Sequence, residues 1–370
     1  MKVFTITTHF ANNYGALLQS YALSRYLNGI DGVVCEILNY LPDGPQHYNR
    51  SWTIFHKPHS FRDIVKLLYL VVRVDKIKER KKKNRLMRDF INNYLPVTQK
   101  KLYKSTIYNE TICADAVICG SDQIWNREIF HDKAYFLDFV PDNIKKIAYA
   151  PSIATAWKES EIGQIRKLLE HFDALSIRED ANLQQVKDVV PNKNVQVVCD
   201  PVFLLSPNEW ANLAKDPQID GEYIFCYFLG TPDLAIRVVS RLRQITGYKV
   251  VLLQLNALDK FDSEKVLSTA DPFEFVGLIK NAALVCTNSF HCSAFSLIFK
   301  KNLYSILNAK RNERLENLQK HFNVDFIMSE EKLSAMQKDN YRTDYTCVST
   351  GETFIQQSKD YLNNALNICL

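Results

Sequence analysis

Nine cysteines are scattered through the 370 residues, and no two of them form a CxxC pair. Zinc ribbons and dithiol redox centres are built on that spacing, so neither is indicated. Cys35, Cys119, Cys199, Cys226 and Cys286 stand instead inside strand-like apolar runs, as small buried hydrophobes do in a reducing compartment. Cys286 and Cys292 flank His291, but a zinc site would need more sulfur or imidazole at closer spacing, and no metal is expected. A GxGxxG fingerprint is also missing, so no dinucleotide is implied. There is no DxD-like carboxylate cluster of the kind that marks metal-dependent glycosyltransferases. Internal repeats and low-complexity segments are lacking too. The apolar run from Ile64 to Val72 is broken by Lys66 and is far too short to span a bilayer. Lys2 leads straight into the alternating Val3-Phe4-Thr5-Ile6-Thr7 with no small-residue cleavage site behind it, and a cytoplasmic location is the expectation.

What is present is the composition of a soluble globular protein, 46% hydrophobic and 24% charged, with length for two cores. The net charge of +5 is unevenly spread. Ten basic residues, among them Lys81, Lys82, Lys83, Arg85 and Arg88, crowd between Lys66 and Arg88 against Asp75 and Glu79. This basic segment, 60–92, reads as one or two helices. It is either a solvated face or, with Leu67, Leu68, Tyr69, Val71 and Val72 beside the cations, a surface for anionic headgroups through 64–88. Nucleic acid is not expected, since no aromatics interleave the run and no recognition motif accompanies it.

Strand-like and helix-like runs alternate along the whole chain. The pattern predicts an α/β fold of two Rossmann-like domains facing across a cleft. Residues 1–205 form the first, 206–345 the second, and a C-terminal helix in 346–370 crosses back to the first. The stretch around which the rest is organised is Ala283 to Ser296. An apolar strand ends at Cys286, then Thr287, Asn288 and Ser289 supply helix-start chemistry, and apolar positions resume at Phe295 and Leu297. In an open parallel sheet such a corner collects ligands, and its free N–H groups favour an anion. His291 at that edge either caps a turn or shuttles a proton.

Other strand ends carry polar residues too. Asn13-Tyr14-Gly15 follows the first strand, with the asparagines suiting a turn of unusual backbone angles and Gly15 allowing a ligand close to the backbone. Gly120-Ser121-Asp122-Gln123-Ile124-Trp125 closes another, where Trp125 is either a sugar-stacking platform or a core aromatic. Arg178 ends a third strand at a helix start and either grips a phosphate or carboxylate or pairs with Glu179 or Asp180.

Taken in order, Asn13 to Gln19, Gly120 to Trp125, Ser176 to Glu179, Asp200-Pro201 and Ser289-Phe290-His291 resemble the polysaccharide pyruvyl transferase family, from Val3 to about Leu318. The resemblance implies a GT-B-like fold and transfer of the enolpyruvyl group of phosphoenolpyruvate onto a sugar. The expected product is a 4,6-ketal on a hexose such as galactose, in capsular or other surface polysaccharide biosynthesis. It implies His291 as the catalytic residue and Arg178 as a donor ligand. Many members carry arginine where Ser289 stands, so Ser289 with Lys310, Arg311 or Arg314 is expected to hold the donor. Acceptor contacts are expected from Asn13, Tyr14, Gly15, Asp122 and Trp125. Phosphoenolpyruvate enters as substrate, no cofactor is expected, and the glycan acceptor can be polyprenyl-diphosphate-linked at the inner face of the plasma membrane. Two other readings stand beside it, a GT-B sugar-nucleotide glycosyltransferase and a non-catalytic assembly protein on the same fold.

Overall fold

A computed structural model describes residues 1–42, 74–230, 233–253, 263–307, 312–347 and 349–368. Lys310, Arg311 and the apolar part of the basic run lie outside the described residues. The first half comprises β1 (Lys2–Ile6), α1 (Tyr14–Asn28), β2 (Val34–Leu41), α2 (Val74–Tyr94), β3 (Val97–Tyr103), β4 (Ala116–Cys119) and β5 (Lys145–Ala148). These strands form one sheet in the order β3-β2-β1-β4-β5, every neighbour parallel. There follow α3 (Glu159–Glu170), β6 (Leu175–Ile177), α4 (Leu183–Val189), β7 (Val195–Val197) and α5 (Pro207–Leu213). The parallel pair β6-β7 is joined to β5 by a bridge between Ile147 and Ala174.

The second half repeats the plan with β8 (Tyr223–Tyr227), α6 (Asp233–Thr246), β9 (Lys249–Leu253), β10 (Lys265–Leu267), α7 (Pro272–Asn281) and β11 (Leu284–Thr287). It continues through α8 (Phe290–Ile298), β12 (Asn302–Ile306), α9 (Glu313–Phe322), β13 (Ile327–Met328) and α10 (Glu330–Ala335). Its sheet runs β10-β9-β8-β11-β12-β13, again parallel throughout. Central strands such as β4 and β11 are buried at every residue, which is why they read as unbroken apolar runs. One apolar cluster extends from Val3 and Leu18 to Phe275, Val285 and Phe295, so the two halves share a core. The last helix, α11 (Ser349–Ala365), lies against the first half, where its Tyr361 hydroxyl donates to Ala148 O and its Ser358 Oγ accepts from Cys199 N.

In both sheets the chain reverses its direction of winding at the centre, between β1 and β4 and between β8 and β11. The crevice beyond the carboxyl ends of such strands is where ligands bind. Side chains brace both crevices. Thr7 Oγ1 donates to Ser121 O at 3.1 Å and Thr8 Oγ1 to Asp122 Oδ2 at 2.9 Å. Buried Gln19 secures the same corner, donating to Thr7 Oγ1 and accepting from Ser121 N. In the second sheet the Asn288 amide accepts from Leu229 N at 2.7 Å and donates to Leu229 O at 3.1 Å.

Candidate active site

The two crevices open onto one cavity of about 400 Å³. Thr8, Asn13, Tyr14, Gly15 and Asp122 line it from the first half, and Asn288, Ser289, Phe290, His291 and Arg314 from the second. Ser289 is the N-cap of α8, its side chain accepting from Cys292 N at 3.5 Å. His291 therefore sits in the first turn of a helix that starts where β11 stops.

The histidine is 8% exposed and its two nitrogens face different surroundings. Nε2 is sealed from solvent and lies 3.5 Å from Asp200 Oδ2. Nδ1 lies against Gly15, so closely that a Cβ on that residue would fall 1.9 Å from it. Gly15 and His291 both line the cavity, so the Nδ1 edge of the ring is on the cavity side and the Nε2 edge on the sealed side. Glycine at this position thus makes room for the imidazole, rather than for the ligand expected from sequence.

Asp200 is wholly buried and its carboxylate is shared. Oδ2 accepts from Arg178 Nη1 at 2.7 Å and from Ser121 Oγ at 3.4 Å, and Oδ1 accepts from Val202 N at 3.1 Å. Burial by itself would raise its carboxyl; His291, Arg178 and the Val202 N–H outweigh that and hold it well below the usual carboxylate range. Arg178 is 2% exposed; Nε donates to Glu179 Oε1 at 3.0 Å, and its guanidinium lies 4.6 Å from the Phe290 ring centre. Phe290 in turn stands edge-on to His291, with Arg314 5.8 Å from its centre.

The expected site residues divide accordingly. His291, Ser289, Arg314, Asn13, Tyr14, Gly15 and Asp122 come together on the cavity wall. Asn13 acts as the N-cap of α1, accepting from Gly15 N at 2.8 Å with extended backbone angles instead of the unusual ones anticipated. Unusual angles occur across the same crevice, at Asp122 (φ 69°) and Gly120 (φ 125°), where a Cβ on Gly120 would strike Tyr149 O. Two expected residues are displaced from the wall. Trp125 is fully buried, stacked on Phe136 at 5.1 Å with its indole donating to Tyr135 O, which leaves no face for a sugar. Arg178 stands behind His291, paired with Asp200 and Glu179, away from the cavity lining. Asp200 carries no site role in the sequence reading beyond its Asp200-Pro201 pair in the family resemblance; that pair starts a short turn of helix through Val202 N. Among the described residues, no group of three or more His, Cys, Asp or Glu side chains is placed to hold a metal ion. No helix among them is long and apolar enough to cross a membrane.

Two Rossmann-ordered sheets with a ligand cavity between their switch points define a two-domain α/β protein of GT-B-like form. S. aureus MnaA in complex with UDP has this fold, with a TM-score of 0.52 at 12% identity over 100% of this chain and 97% of that one. The UDP-GlcNAc 2-epimerase from Neisseria meningitidis bound to UDP-GlcNAc aligns at TM-score 0.46 and 11% identity, covering 100% and 95%. E. coli heptosyltransferase WaaC with ADP aligns at 0.41 and 11%, covering 97% and 100%. No curated protein matches the chain in sequence. The chain belongs to the polysaccharide pyruvyl transferase family, whose model matches residues 13–310. Membership makes it an enzyme of phosphoenolpyruvate-dependent pyruvyl transfer.

Proposed function

We propose that the enzyme moves the enolpyruvyl group of phosphoenolpyruvate onto a hexose such as galactose and closes a 4,6-ketal, in the building of a surface or capsular polysaccharide. The observation that carries this reading is His291, held in the first turn of α8 on the wall of a cavity shared by both halves. Ketal formation needs a proton delivered to the methylene carbon of the donor, which leaves an oxocarbenium-like centre at C2. A sugar hydroxyl attacks that centre and gives up its proton. The C2–O bond to phosphate then breaks with its electron pair, and a second hydroxyl closes the ring, its proton passing to the departing phosphate. His291 serves as the acid and takes back the first hydroxyl's proton. The N-terminal turn of α8 and the Arg314 guanidinium supply positive potential for the phosphate and carboxylate of the donor. Lys310 and Arg311 belong to the same proposed donor side.

Asn13, Asp122 and Thr8 offer the mixed donors and acceptors that sugar hydroxyls require, from the opposite wall. The scheme draws on side chains and the N-terminal turn of α8, with phosphoenolpyruvate as substrate. A cytoplasmic enzyme meeting a lipid-linked acceptor at the membrane is the setting that the basic segment 64–88 suits. The decisive measurement is phosphate release from phosphoenolpyruvate, with and without galactose-containing acceptors, in wild type and His291→Ala. Acceptor-dependent release in wild type, lost by about 10²-fold or more in the variant, is the expected outcome. Thermal protection by UDP- or GDP-sugars together with no phosphoenolpyruvate binding in calorimetry would replace this reading with sugar-nucleotide transfer.

A further inference from the structure

The sealed side of His291 carries more than packing. A fully buried carboxylate is rare without a reason, and Asp200 has two positions around it filled by fixed donors. Val202 N–H holds Oδ1 and Arg178 holds Oδ2. The carboxylate cannot turn away, and its remaining approach is toward Nε2 of His291 at 3.5 Å. That nitrogen is buried and makes no hydrogen bond, with Asp200 the carboxylate in ion-pair range of it. A proton on it meets Asp200, whereas a lone pair there would face a carboxylate at close range. The ring is therefore asymmetric: one nitrogen fixed by an anion, the other at the cavity beside Gly15.

We propose that Asp200 is the positioning residue of the site, fixing the proton on Nε2 of His291 so that Nδ1 is the atom that delivers a proton to the donor. Arg178 is then the counter-ion that keeps Asp200 charged, and not a ligand of the donor. The inference rests on His291 being the acid, the reading given above. In the step itself the Nδ1–H bond breaks, its proton passes to the methylene carbon, and the ring electron pair stays on Nδ1. Nε2–H remains turned to Asp200 throughout, and the first hydroxyl's proton restores Nδ1–H. The charged groups around the ring are few. Asp200 faces it from the turn after β7, with Arg178 at the end of β6 directly behind. Arg314 of α9 lies across Phe290, and Asp122 lines the opposite side of the cavity after β4. Asp200 is the anion nearest the imidazole.

The test is nitrogen NMR of the full chain labelled at histidine, with His291 assigned by loss of its signals in His291→Gln. In wild type the neutral ring is expected to show the Nε2–H tautomer, with the titrating proton on Nδ1. In Asp200→Asn the acid dissociation constant of His291 is expected to rise about tenfold or more. The acid-dependent limb of kcat should move by the same amount, with the KM for phosphoenolpyruvate little changed. Identical titrations in the two proteins, or a neutral ring protonated at Nδ1, would overturn the proposal. Should Asp200→Asn fail to fold, the tautomer in wild type decides alone. The titration uses neither donor nor acceptor, so it can fail while pyruvyl transfer stands, and the reverse.

Discussion

Among the described residues two buried histidines stand at strand ends, one beside each sheet's switch point, and they are treated in opposite ways. His9 follows β1 and is 2% exposed; its Nδ1 lies 3.4 Å from Thr7 O and its ring meets Phe10 edge-on. Burial takes its pKa from 6.5 down to about 4, against small opposing help from Thr7 O and the Asn39 side chain. At neutral pH it is an uncharged ring in a crevice wall. His291 is nearly as buried, yet its inner nitrogen is met by Asp200. Equal burial with and without a carboxylate separates a structural imidazole from one that can carry a proton to a substrate. The comparison also explains why position at a strand end is not enough to mark a catalytic histidine.

The largest effect should come from disturbing the His291 corner without touching the histidine. Gly15→Ala places a Cβ 1.9 Å from Nδ1, so the imidazole has to leave its present position. A shift of that size misplaces the acid, so kcat for phosphate release should fall about 10²-fold while the thermal transition changes little. Retention of full activity would mean that the proton does not leave from this ring.

Much of the fold was legible because central parallel strands are apolar on both faces: Val117, Ile118 and Cys119, or Leu284, Val285 and Cys286, cannot be mistaken. The edges were not. β3 is half-exposed and reads Val-Thr-Gln-Lys-Lys-Leu-Tyr, while β10 and β13 are only Lys265–Leu267 and Ile327–Met328. An edge strand buries too little to leave a pattern. The cavity wall was legible wherever a residue followed a strand end. What stood behind the wall was hidden, since the pairing of Asp200 with His291 and Arg178 is made only when separate crossovers fold onto one another. Trp125 and Arg178 were ambiguous for the same reason: a residue type says what a side chain can bind, and burial decides whether a ligand can reach it.

A middle-sized effect should appear at the other histidine as pH falls. The folded-state pKa of His9 is lowered to about 4 from 6.5, so between those values the unfolded chain binds the extra proton and the folded one does not. Stability is therefore complete above about pH 6.5 and is lost progressively toward pH 4, by on the order of 3 kcal/mol from this group. His9→Gln, which keeps a hydrogen-bonding side chain without a titratable one, should flatten that part of the profile. Urea denaturation at pH 7 and pH 4.5 measures it. A wild-type loss matched in the variant would show that His9 is not the group responsible.

The smallest effect compares the caps of the two corners. Asn13 accepts from Gly15 N at 2.8 Å at the start of α1, while Ser289 accepts from Cys292 N at 3.5 Å at the start of α8. The shorter bond is the stronger, so Asn13→Ala should cost about 1 kcal/mol of stability and Ser289→Ala a fraction of that. Activity should rank them the other way. The first turn of α8 aims His291 and its free N–H groups at the donor, so loosening it should raise the KM for phosphoenolpyruvate in Ser289→Ala. In Asn13→Ala the change should fall on the acceptor's KM, because that cap borders the opposite wall. Measuring both variants for both substrates would assign donor and acceptor to their halves. A donor KM that rises with Asn13→Ala and not with Ser289→Ala would invert the assignment.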